Sequence, residues 1–139
     1  MARLDERLVL AEKALNKFAE VVRIEAPSEI ERDATIQRFE FAFEAVWKAA
    51  KDFLWEHDGI DAASPKSVIR ACRETGVMNA EETMQVLKMA DERNLTVHTY
   101  NEKLALLIHS HLPEYHQLLQ NWFDKMKAGD CSKADEYIS

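Results

Sequence analysis

Leu4, Leu8, Ala11, Leu15, Phe18 and Val22 recur at intervals of three or four positions, which puts them on one stripe of an α-helix. The same period returns as Ile36, Phe39, Phe43, Val46, Ala50 and Phe53, with Trp47 and Leu54 on one flank. It returns again as Leu104, Leu107, Ile108, Leu112, Tyr115, Leu118, Leu119 and Trp122. No segment shows the period of two that a half-buried strand requires. Punctuation agrees. Ala26-Pro27-Ser28 ends the first helix, and Ser28-Glu29-Ile30-Glu31 is a capping box opening the second, which closes at His57-Asp58-Gly59. Ser64-Pro65 starts a short helix through Val68, Ile69 and Cys72 that stops at Gly76. Asn79-Ala80-Glu81-Glu82 caps a fourth, with Met84 and Leu87, ending near Arg93. Thr99 to Glu102 is the expected cap of the last, and Pro113 inside it predicts a kink or break. Three long and two short helices make an all-α, antiparallel up-and-down bundle of four to five helices in one domain over residues 1–127. A polar tail, 128–139, is expected to fray.

Composition narrows the function. Gly and Pro number three each among 139 residues, too few for the turns of sandwiches, barrels or Rossmann folds. Asp and Glu total 25 against 18 Lys and Arg, so a protein gripping duplex phosphates over its whole surface is disfavoured and a local basic site is not. Cys72 and Cys131 form no CxxC pair, which excludes a zinc knuckle and leaves a reducing, cytoplasmic setting as the default. No apolar run approaches the about 18 residues of a membrane span. The charged start at Met1-Ala2-Arg3-Leu4-Asp5-Glu6 is not that of a signal peptide.

One segment concentrates chemistry: Arg93-Asn94-Leu95-Thr96-Val97-His98-Thr99-Tyr100, at the junction of the fourth and last helices. Arg offers a planar fork of donors to a phosphate. His moves a proton near neutral pH. Beside a phosphodiester the pair could activate a ribose 2′-hydroxyl and stabilise the charge that develops. Spacing alone leaves a second reading open: His98 caps a turn, Arg93 offsets a helix dipole and Tyr100 packs.

Residues Arg32 to Leu54, RDATIQRFEFAFEAVWKAAKDFL, resemble the signature helix of the nucleotidyltransferase substrate-binding family, in the HepT-like branch of the HEPN superfamily. Ser64 to Arg70 followed by Gly76 resembles its short middle helix, and Arg93 to Tyr100 fits its R-x4-H-x-Y motif, with the polar Asn94 after the Arg. The likeness spans roughly residues 4 to 126. It implies a homodimeric helical bundle that binds a minimal nucleotidyltransferase within a toxin–antitoxin pair. It further implies a metal-independent endoribonuclease with no cofactor, in which Arg93 holds the scissile phosphate of RNA and His98 is general acid or base. Asn94 would position the Arg or the phosphate, and Tyr100 would accept AMP. A milder implication is a non-catalytic adaptor presenting substrate to its partner. In an acidic chain the ribonuclease reading requires local cations, for which Arg70, Arg73, Lys88, Arg93 and Lys103 are the candidates.

Other features carry less. His111 and His116 are five apart, not the i, i+4 of a helical metal pair, so a hydrogen-bonded core His111 with surface His109 and His116 is expected. Glu40, Glu44 and Lys48 read as a solvated row, although Asp33, Gln37, Arg38 and Glu40 share the most family-like helix. Phe41 and Trp55 point away from the main stripe and are dimer-contact candidates, or else pack on the short helices.

Overall fold

A computed structural model describes residues 2–138, with side chains over 3–131. The helices are α1 (Ala2–Val22), α2 (Glu29–Asp58), α3 (Pro65–Glu74), α4 (Ala80–Leu95) and α5 (Glu102–Ile138), and a 3-10 turn, Thr96–His98, joins the last two. No strand occurs among the described residues.

The helix starts follow the capping chemistry. The Ser28 hydroxyl accepts from the Glu31 N–H at 3.1 Å, and Glu31 accepts from the Ser28 N–H at 2.9 Å. Ser64 with Ser67, and Asn79 with Glu82, repeat the exchange for α3 and α4. Gly59 ends α2 at φ 66°, a left-handed conformation in which a Cβ is strained, and its N–H returns to the Trp55 carbonyl.

Cross-helix pairs set the directions. Arg7 meets Asp52 and Arg38 meets Glu20, so α1 runs antiparallel to α2. Lys127 meets Glu12 while His116 meets the Leu15 carbonyl, so α1 is antiparallel to α5 as well. Phe39 stacks on Tyr115 and Phe53 touches Gly129, so α2 and α5 run the same way. Lys125–Glu82 and His111–Glu92 make α4 antiparallel to α5. Between these helices Phe18, Phe39, Phe43, Leu54, Ile69, Leu112 and Trp122 are fully or almost fully buried. Each such side chain contributes about 1.5–3 kcal/mol of transfer free energy. Cys72 is free and buried, and burial pushes its thiol up to about 12, so it is an inert apolar filler.

Three expectations need correction. The cap of α5 is Asn101, not Thr99: the Asn101 side chain accepts from the Leu104 N–H at 3.2 Å, while the Thr99 hydroxyl turns back to the Thr96 carbonyl. Pro113 does not break α5. It removes one backbone bond, to His109, but Leu112 and Tyr115 are buried around it and carry the helix through. Leu107 is 53% exposed, because the face of α5 that packs is the one carrying Ala105, Ile108, Leu112 and Leu119. After Lys127 the backbone continues α5 to Ile138, and Gly129 faces the Phe53 ring. Phe41 and Trp55 are 59% and 56% exposed, so the short helices do not cover them.

Candidate functional site

The motif lies where α4 hands over to α5. The last turn of α4 carries Arg93, and the 3-10 turn tightens the chain just after it. The Thr96 hydroxyl drives that tightening by donating to the Arg93 carbonyl at 2.7 Å. The same oxygen accepts from Arg93 Nη1 at 3.3 Å. Arg93 is half-buried, and Nη1 also faces Glu40 Oε2 of α2 at 3.5 Å. Its Nε is buried without a hydrogen-bond partner. Glu40 is therefore part of this site rather than of a solvated row. The guanidinium is held by one carboxylate and one hydroxyl, and part of its donor fork is unspent.

His98 and Tyr100 project from the turn into solvent. Nδ1 of His98 is 3.2 Å from the Tyr100 hydroxyl, and the rings meet edge to face at 5.8 Å. Which group donates depends on the imidazole tautomer. If the phenol donates, the neutral ring carries its own proton on Nε2. Tyr100 is 85% exposed, so a macromolecule can reach its hydroxyl. The Asn94 side chain is exposed and makes no hydrogen bond to another described residue.

Behind the motif lies a network that the sequence reading does not single out. Glu92 is buried, and its carboxylate takes His111 Nδ1 at 2.7 Å and the Tyr115 hydroxyl in a second, short bond. Burial, reinforced by the bond to Glu92, pushes the Tyr115 phenol well above its ordinary range, so it stays a donor. The network ties the end of α4 to α5 immediately beside Arg93. His111 is hydrogen-bonded and half-buried. His109 and His116 are half-buried too, not on the surface, and His116 packs edge to face on Phe18 at 5.2 Å. No group of three or more His, Cys, Asp or Glu among the described residues could hold a metal ion.

Arg70, Arg73, Lys88 and Lys103, the other cations expected to serve the motif, are exposed. Arg93, His98 and Tyr100 are thus brought to one junction, with Glu40 and Glu92 flanking its base. Among the described residues no helix is long and apolar enough to cross a membrane.

Comparison with known proteins follows the same lines. A crystal structure from Thermus thermophilus is 50% identical over 84% of this chain and 98% of its own, with a TM-score of 0.81. A chain in the crystal structure of a mutant toxin–antitoxin complex, MntA-HpeT, shares the fold at 14% identity, with a TM-score of 0.74 over 92% of this chain and 99% of its own. Among the curated proteins none matches. The profile described as nucleotidyltransferase substrate binding protein like matches residues 6–128, almost the whole bundle including the motif junction, and the chain belongs to that family.

Proposed function

We propose that this chain is the HEPN-type member of a cytoplasmic toxin–antitoxin pair, acting as a metal-independent endoribonuclease that binds a minimal nucleotidyltransferase. The observation that carries the reading is the exposed His98–Tyr100 pair on the turn that follows Arg93. Its fold is shared with a chain of a toxin–antitoxin complex, which supports the assignment. Arg93 binds the scissile phosphate through its unspent donors, and the adjoining Asn94 helps to seat the same nucleotide. His98 takes the proton from the 2′-hydroxyl as its oxygen attacks phosphorus. The bond to the 5′-oxygen breaks, that oxygen takes a proton from water, and a 2′,3′-cyclic phosphate and a 5′-hydroxyl remain, the His98 imidazolium then returning its proton to solvent. Tyr100 is the acceptor for AMP: its oxygen attacks the α-phosphorus of ATP held by the partner, and pyrophosphate leaves. Phe41 and Trp55, exposed on α2, are the contacts of a homodimer.

The test is cleavage of a mixed RNA in EDTA. Wild type should cut and His98→Ala should not, at unchanged helicity; equal cleavage by both would remove His98 from the chemistry. A second reading, the non-catalytic adaptor, is favoured by the Glu40–Arg93 pair, which occupies the arginine internally. It expects no cleavage by either protein and undiminished nucleotidyltransferase binding by His98→Ala.

A further inference from the structure

A cavity of about 340 Å³ opens beside the motif, lined by Phe43 of α2, Ser64, Pro65 and Lys66 at the start of α3, and Ala90 and Asn94 of α4. Ligand sites run about 300–1,000 Å³, so this one has room for a single small group and not for a run of them. Its lining is divided. Phe43, Pro65 and Ala90 make apolar walls. Asn94 brings an exposed carboxamide, donor and acceptor side by side, that makes no hydrogen bond to another described residue. Lys66 adds an ammonium at the rim, 2.5 Å from Asp91. An apolar slot edged by one free carboxamide suits a flat heterocycle with a hydrogen-bonding edge, and a carboxamide matches the N6 and N7 of adenine in two bonds at once.

Placement along α2 relates the cavity to Arg93. Glu40, the partner of Arg93, and Phe43, in the cavity wall, are three residues apart, about 4.5 Å of helical rise on one face. The arginine and the slot are therefore neighbours at one level of the bundle. We propose that this cavity is a nucleobase subsite that prefers adenine, seating the base of a nucleotide whose phosphate lies at Arg93. This rests on the RNA reading above. The same chemistry is offered by a base within RNA and by free AMP, and the experiment separates the two.

Backbone amide signals of the full chain are followed by NMR during titration with AMP, oligoadenylate and oligouridylate. Oligoadenylate should shift Ser64, Lys66, Ala90 and Asn94, and bind about tenfold more tightly than oligouridylate. Asn94→Asp, which loses the amide donors at nearly unchanged shape, should abolish that preference while the shift pattern of the core stays intact. Shifts at these residues with AMP but not with RNA would also support the subsite and give the free nucleotide as its occupant. RNA shifts at Arg93, His98 and Tyr100 with none at Ser64, Lys66 or Ala90, and no base preference, would overturn the subsite and leave the ribonuclease reading standing. No shift at the cavity with any of the three would overturn the subsite whatever the cleavage assay shows. Cavity shifts without RNA cleavage would support it and count against the nuclease alone.

Discussion

Tyr100 is the most exposed large side chain of the motif, and it touches His98 through the one atom that AMP would modify. Adding AMP to that oxygen removes the phenol as a donor and places an anion beside the imidazole. Incubation with the partner nucleotidyltransferase and ATP is expected to raise the mass of wild type by whole AMP units and leave Tyr100→Phe unchanged. Intact-protein mass spectrometry reads this directly, and equal labelling of both would move the acceptor elsewhere. Arg93, His98 and Tyr100 are legible in the sequence because their spacing is local. Glu92 is not. Its partners His111 and Tyr115 lie 19 and 23 positions on, and no local pattern announces a carboxylate that only the α4–α5 packing buries. Glu40 misleads for the same reason: as part of an i, i+4 row it looks solvated, and only the arrival of α4 gives it an arginine.

Four of the helix starts and stops are written in short-range capping chemistry, and these are the parts of the fold that the sequence makes plain. The beginning of α5 is harder, because Thr99 and Asn101 are both competent caps and the choice is made by the 3-10 turn. That turn commits the Thr99 hydroxyl to the Thr96 carbonyl and leaves Asn101 to the helix. Asn101 therefore holds the motif turn and α5 together. Asn101→Ala should cost about 0.5–2 kcal/mol of stability, read as a lower denaturant midpoint at unchanged slope. A midpoint equal to wild type would show that α5 needs no side-chain cap here. Pro113 teaches the converse. Its local penalty is real, but the buried neighbours on both sides outweigh it, and burial is what a single-sequence pattern weighs least well.

At the scale of the molecule, acid should loosen the bundle through its buried imidazoles. Burial, with Arg23 adding to it and the Leu15 carbonyl opposing, holds His116 below its ordinary 6.5. Burial and Arg32 do the same to His109. A depressed folded pKa means that the unfolded chain binds the proton first, so this stability is present above the unfolded value and is lost as pH falls through the folded one. Denaturant midpoints should drop between about pH 7.5 and about pH 5, and drop less in His116→Gln. An identical drop in the variant would place the acid sensitivity in other groups. The bundle and its register-setting pairs are foreseeable as helices but not as neighbours, since pairs such as Lys127–Glu12 join the two ends of the chain. The far end of α5 carries a consequence of that kind. Gly129 faces the Phe53 ring so closely that a Cβ there would stand 3.2 Å from it, and Asp130 bonds His57 at 2.8 Å. Both lie past residue 128, where the match to the family ends. The stretch that reads as a polar tail thus begins with contacts to α2. A chain trimmed at residue 128 would lose both of these holds on the C-terminal end of α2.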